Sequence, residues 1–343
     1  MSRKNLTYFV VLIVIFLLTG CGQTNEKELD KLVEESIVPE QQDIENEKDT
    51  FQPSASEVSN EAVTVFYKGD DFRKSVFAVG GDKIYICGIK SDGQYFWGCM
   101  NKEEDSFFEF SVEIPENMRA FNMTVDNQNK CHILWMSIEK VTLDNQSVDR
   151  ITFEQSFITI INAEGETETQ IDVTQIFKKE QTRPFCFSID REGNYYFENG
   201  KEIVKLLSDG SMASNIVCPG WIEGIGIGRT GVVYCTYKNE DGKEMLGKID
   251  QDAFASCNLN LPDNYAIYAN ISPGTDSEAL LYNKDGGVYV YDDVNNVIEL
   301  RISQSQLPIS GEEVVGYGFL HDGRLCLLTQ NGETVFYYIP AGM

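Results

Sequence analysis

The sequence predicts an all-β fold, a β-propeller of about six four-stranded blades, on three observations. Short runs rich in Val, Ile, Tyr, Phe and Thr fill most of the chain, for example Lys83–Ile89, Gly231–Tyr237 and Gly287–Tyr291. Glycine following an acidic residue or Asn punctuates them, at Asp92-Gly93, Glu164-Gly165, Glu192-Gly193, Asp209-Gly210, Asp241-Gly242, Asp285-Gly286, Asp322-Gly323 and Asn331-Gly332. The runs group into units that recur at roughly forty residues, the period of a four-stranded blade. Apolar or alternating runs of five to seven residues bounded by turn residues read as strands. Asp-Gly and Asn-Gly supply the positive backbone dihedrals of two-residue hairpins. A β-sandwich pair and a β-helix are the alternatives weighed, and five to seven blades is the range.

Taken in order, the chain opens with Arg3 and Lys4 and then an apolar run, Tyr8 to Leu18, of about eleven residues. A membrane-spanning helix needs roughly 20 apolar residues, whereas a signal peptide's apolar region needs about 7–15. Leu18-Thr19-Gly20-Cys21 follows at once. This segment resembles the bacterial lipobox. The resemblance implies that residues 1–20 are a lipoprotein signal peptide removed on export. It also implies that Cys21 becomes the lipidated first residue of the mature chain. Acyl chains bury about 0.8 kcal/mol per methylene, so two or three of them hold a protein stably on a bilayer. The expected location is the extracellular face of the cell membrane. Residues 21–61 are rich in Glu and Asp and poor in aromatics, with Pro53-Ser-Ala-Ser56. They bury too little apolar area to offset chain entropy and read as an acidic flexible linker. Weak helical periodicity touches Glu28 to Val38.

Residues 62–343 form the propeller domain. Its units run from about Val76 to Val112, Ala120 to Val173, Phe185 to Val217, Ile222 to Leu261, Ala266 to Ile302, and Val314 to Tyr338. The second is longer, with an insertion near Glu139 to Asp149. The last shows three clear strands, while Ala62 to Tyr67 is a surplus strand at the other end of the domain. The surplus strand is therefore expected to complete the last blade and close the ring. Helical patterns are nearly absent, with Asp172 to Lys179 the best short candidate.

The formal charge is -26. Such a surface repels phosphate backbones, and no basic stripe with interleaved aromatics exists, so nucleic acid is excluded as a partner. Apart from Cys21 there are eight cysteines: Cys87, Cys99, Cys131, Cys186, Cys218, Cys235, Cys257 and Cys326. None stands as C-x-x-C. Cys87, Cys131, Cys186, Cys235 and Cys326 sit inside apolar strand runs, where cysteine packs as a small core residue. Free buried thiols are expected over disulfides.

Catalytic signals are weak. The two histidines, His132 and His321, have no nucleophile context, and G-x-S-x-G is absent. Ser91-Asp92-Gly93 with Trp97 lacks the spacing of a sialidase-type Asp box. Paired carboxylates such as Asp292-Asp293 are common in so acidic a chain, and no D-x-D-x-D-G loop exists. No catalytic residue, metal ligand or cofactor is therefore assigned. Propellers bind ligands at the channel or its mouth, where aromatics stack on sugars or peptide side chains. Trp97 and Trp135 lie mid-strand and are expected in the core. Trp221 follows Cys218-Pro219-Gly220 into the innermost strand of a blade and is the ligand-binding candidate.

The lipobox, the acidic spacer and turns such as Asp190-Arg-Glu-Gly-Asn194-Tyr-Tyr resemble clostridial-type surface lipoproteins. Some of those carry such a propeller ahead of a solute-binding domain. The chain ends at Met343, just after the last strand group, so the resemblance is to the propeller half. It implies binding. Two functions are carried forward. One is a membrane-anchored, non-enzymatic binding or scaffold module for a protein, peptide or glycan partner. The other is an extracellular hydrolase or lyase using carboxylates in the propeller channel, which predicts several acidic side chains converging with raised pKa values.

Overall fold

A computed structural model describes residues 64–339 apart from 70–72, 81–82, 91–94, 102–107, 111–116, 144–145, 178–186, 228–231, 251, 262–271, 274–277, 283–287, 304, 306–312, 321–323 and 331–333. Residues 1–20, read from the sequence as a signal peptide, Cys21, residues 21–61, read as a linker, Cys186 and His321 lie outside the described residues. Among the described residues, six antiparallel sheets of four strands form. In chain order β1 is Thr64–Gly69. One sheet holds β2 (Arg73–Gly80), β3 (Lys83–Ile89), β4 (Tyr95–Asn101) and β5 (Phe108–Glu109). The next holds β6 (Met118–Val125), β7 (Cys131–Leu143), β8 (Gln146–Ile161) and β9 (Thr167–Asp172). A third holds β10 (Phe187–Ile189), β11 (Tyr195–Asn199), β12 (Glu202–Leu206) and β13 (Met212–Val217). A fourth holds β14 (Trp221–Ile227), β15 (Val233–Lys238), β16 (Glu244–Asp250) and β17 (Ala253–Asn260). A fifth holds β18 (Ser272–Pro273), β19 (Glu278–Tyr282), β20 (Val288–Asp292) and β21 (Val297–Ile302). The last strands are β22 (Glu313–Phe319), β23 (Leu325–Gln330) and β24 (Thr334–Ile339).

Five sheets follow chain order, and the sixth reads β1-β24-β23-β22. Thr64 pairs with Tyr338 and Gly69 with Thr334. The first strands of the sheets neighbour one another in a circuit: β22 beside β2, then β6, β10, β14, β18 and β22 again. Sheets standing side by side around their first strands make a β-propeller.

Packing explains why the strands read as continuous apolar runs. In β3, Tyr85 and Cys87 pack toward the sheet of β6–β9, against Ile133 and Trp135. Ile84 and Ile86, on the other face of the same strand, pack against Cys326 and Leu328. Among the described residues, the sheets of β2–β5, β6–β9, β10–β13 and β14–β17 are covered on both faces, so alternate residues serve two different cores. Separate apolar clusters fill the boundaries between successive sheets, with Phe177 and Phe197 in one, Ile222 and Cys235 in another, and Tyr234 and Tyr291 in a third. Each large side chain buried there contributes roughly 1.5–3 kcal/mol. Trp97 and Trp135 are core residues, and the seven described propeller cysteines are buried free thiols.

Two details differ from the sequence reading. Most described turns are not two-residue hairpins. Asp190 N–H donates to Asn194 O and Gly193 N–H to Asp190 O, and the same pattern recurs at Asp126, Asn162, Leu207 and Asn239. The positive φ therefore falls on a single residue of each loop, such as Gly193 or Asn129. At Asp126, Asn162, Asp190 and Asn239 the Asx side chain accepts backbone N–H groups and fixes the loop. The Glu139–Asp149 insertion is no separate element. It is an extension of β7 and β8, whose pairing continues from Ile138 and Ile151 to Leu143 and Gln146. The helix expected within 172–179 is one turn, α1 (Thr174–Phe177), which buries Ile176 and Phe177.

Candidate functional site

Trp221 opens β14, and the register carries a row of side chains across its sheet. Trp221 pairs with Lys238 on β15, and Lys238 pairs with Glu244 on β16. Directly opposed residues share a face. Between Ile222 and Gly224 the register slips, which leaves Glu223 as the extra residue of a bulge. Bulges re-aim side chains, and this one turns Glu223 onto Lys238. First strands slip similarly between Ala120 and Asn122 and between Val314 and Gly316, but only β14 carries a carboxylate at the slip. The neighbouring sheet adds Glu198, near the end of β11.

The backbone locks the two sheets together at this point. Ile222 N–H donates to Gly200 O and Cys218 N–H to Lys201 O, so the β11–β12 turn is tied to the entry of β14. Gly220 must be glycine, because a Cβ there would overlap the carbonyl oxygen of Lys238. Gly200 has φ +69 and lies beneath the Trp221 ring. The indole is held from one side and remains 49% exposed.

Lys238 Nζ lies 2.8 Å from Glu223 Oε1 and 3.0 Å from Glu244 Oε1. One ammonium thus serves two carboxylates, and a third, Glu198, stands close by. Glu198 and Glu244 are 3% and 2% exposed. Oε2 of Glu198 is buried without a donor, and the buried Glu223 and Glu244 carboxyls bond to each other beyond Lys238. Burial pushes the Glu198 carboxyl up to about 8, and the nearby charge of Glu223 adds to it. Burial, then the adjoining Glu223 carboxyl, push Glu244 up to about 7, against the pull of Lys238. Burial draws Lys238 down, but its bonds to both carboxylates hold it above its ordinary value. Chemically, this is a proton-holding acidic cluster beside a half-exposed aromatic ring. It offers unpaired acceptors and groups that exchange protons near neutrality.

Trp221 thus stands on the first strand of its sheet, half exposed. Glu198, Glu223, Lys238 and Glu244 escaped the sequence reading. Only the Cys-Pro-Gly turn before Trp221 hinted at the location. His132 does not join them. Its Nε2 lies 3.1 Å from Asp126 Oδ2 and its Nδ1 3.0 Å from the Tyr195 hydroxyl, in a buried bridge between sheets. A groove of about 560 Å³ lies at the base of the β7–β8 extension. Its Ser137 hydroxyl is 2.7 Å from Thr152 Oγ1 and accepts from the N–H groups of Glu154 and Gln155, so it holds backbone rather than acting as a nucleophile. Among the described residues no group of three His, Cys, Asp or Glu side chains is arranged to hold a metal ion. No described helix is long and apolar enough to cross a membrane.

No protein-family model and no curated protein matches the chain. Solved structures do. A gluconolactonase from Xanthomonas campestris is similar at a TM-score of 0.51 and 12% identity, over 81% of this chain and 89% of its own. The soluble aldose sugar dehydrogenase from Escherichia coli gives 0.47 and 10%, over 80% and 98%. The WD40 domain of Neurospora crassa Pan2 gives 0.48 and 11%, over 82% and 96%. At these identities the likeness concerns the fold.

Proposed function

We propose that this chain is a lipid-anchored extracellular binding module, a six-bladed propeller that captures a protein, peptide or glycan partner at the face carrying Trp221. The six sheets act as six blades in this reading, and Thr64–Gly69 closes the ring. The anchor rests on Leu18-Thr19-Gly20-Cys21, with Cys21 carrying the lipid. The observation that carries the binding role is Trp221 itself, a large apolar ring left half exposed at the entry of an inner strand. Unpaired acceptors lie beside it. Glycan and peptide arrays probed with the protein and with Trp221→Ala test this. Binding lost in the variant supports it, and uniformly blank arrays overturn it. For the anchor, radiolabelled palmitate incorporation that disappears in Cys21→Ala is the expected result.

One observation favours a second reading. Glu198 and Glu244, pushed up to about 8 and about 7, are the raised carboxyls an extracellular hydrolase or lyase would use as proton donors. Release of reducing or unsaturated ends from polysaccharides, abolished by Glu198→Gln and Glu244→Gln, would establish it.

A further inference from the structure

We infer that the Glu198–Glu223–Glu244 cluster is a receptor for a cationic nitrogen, the ammonium or guanidinium of a lysine or arginine side chain on an extracellular peptide. The inference rests on the reading of this face as a binding surface and names what it recognises.

The argument starts from what the cluster lacks. Three carboxyl groups meet one ammonium, Lys238, which uses Oε1 of Glu223 and Oε1 of Glu244. Glu198 Oε2 is buried with no donor, and the Glu223 and Glu244 carboxyls, beyond their bonds to Lys238, have only each other. A buried acceptor without a donor costs roughly 1–3 kcal/mol, more when charged. One carboxyl without a donor, beside two that must share a proton, marks a place that a cationic donor can fill. A neutral hydroxyl brings a donor but no charge that would let the protonated carboxyls ionise. An ammonium or guanidinium brings several donors and the missing charge together. Trp221 supplies the aromatic face that attracts a cation, and its exposure leaves that face reachable. A formal charge of -26 raises the local concentration of cationic partners. A metal ion is the weaker candidate, because the carboxylates are not arranged as metal ligands.

The charged groups that face one another are Glu198 from β11, Glu223 from β14, Lys238 from β15 and Glu244 from β16. Glu198 and Glu244 hold protons near neutrality because burial, and then the neighbouring Glu223 carboxyl, oppose their ionisation. A bound ammonium takes the place of those protons. The carboxylic O–H bond breaks, the carboxylate accepts N–H from the ligand, and the proton passes to solvent. Binding therefore releases protons and strengthens as pH rises through the titration of the cluster.

The test is calorimetric titration of the full chain in detergent with acetyl-Gly-Lys-Gly-amide and acetyl-Gly-Arg-Gly-amide. Acetyl-Gly-Gln-Gly-amide and an N-acetylglucosamine tetramer serve as neutral probes. Titrations at pH 6, 7 and 8 use buffers of different ionisation enthalpy. The basic peptides are expected to bind, with affinity rising up to about tenfold per pH unit for each proton released. Trp221→Ala weakens them, and Glu198→Gln removes part of the proton release. Glu223→Gln provides a second variant should Glu198→Gln fail to fold. If a neutral probe binds as well as the basic ones in a Trp221-dependent way, this inference falls and the binding reading stands. Basic peptides that bind without pH dependence or proton release also overturn it. If no probe binds, both fall.

Discussion

His132 on β7 and Tyr195 on β11 meet at 3.0 Å, ring Nδ1 to phenolic oxygen, across the boundary between two sheets. Asp126 completes the bridge 3.1 Å from His132 Nε2. A carboxylate only accepts, so Nε2 carries the hydrogen that faces it. Burial would raise the Asp126 carboxyl, but the bonds from His132 and from the N–H groups of Lys130 and Gln128 hold it below its usual range. The bridge is structural. Tyr195→Phe leaves a buried ring nitrogen without its partner and is expected to lower stability by about 1–3 kcal/mol. A lower urea midpoint with unchanged slope is the expected signature.

The pH dependence of stability follows from Glu198. Its carboxyl is raised from 4.5 to about 8 in the fold. Between those values the folded state holds a proton that the unfolded chain has lost. Stability is therefore fully present below the unfolded value and declines as pH rises through the window. The span is on the order of a few kcal/mol. Glu198→Gln should make the fall of the urea midpoint between pH 5 and 8 shallower, with Glu244, raised to about 7, accounting for the remainder. An equally steep decline in the variant would show that other groups govern it.

Glycine at 220 is a steric requirement. Gly220→Ala places a Cβ against Lys238 O and pushes apart the segment that carries Trp221. A loss of about 1–3 kcal/mol is expected, as for other overpacked sites. Thermal unfolding measures it.

The propeller's described thiols should be silent in the folded protein. Burial pushes Cys87 up to about 12 and Cys131 and Cys326 well upward, and the bond with Cys218, then burial, does the same to Cys235. The thiolate is the reactive form. A disulfide-exchange reagent should label these positions only after denaturant is added, which mass mapping of the modified peptides would reveal.

Trp221→Ala separates binding from folding. The ring is half exposed and rests on Gly200, so stability should change by less than about 1 kcal/mol. Retained thermal stability with lost ligand capture is the expected pair of results.

The elements were largely legible because their signals are local. Lys83–Ile89 shows an apolar run with turn residues on both sides, and a strand covered on two faces demands just that pattern. The long second unit was legible as an irregularity but not as a hairpin extension, since Glu139–Asp149 does not announce which partner it pairs with. The turns were misread in kind, because Asp-Gly looks the same in a two-residue hairpin and in a longer Asx loop. The side chain's bond to the backbone two and four residues on is what distinguishes them.

By itself the sequence determined strand spacing, the acidity and the singular position of Trp221, all properties of neighbours along the chain. The tertiary structure alone decided that Glu198, Glu223, Lys238 and Glu244 share one buried place. They come from four strands of two sheets, and one faces the others only through a register slip in β14. No local pattern encodes that meeting, because it depends on how one sheet leans on the next and on which carboxyls lose their water there.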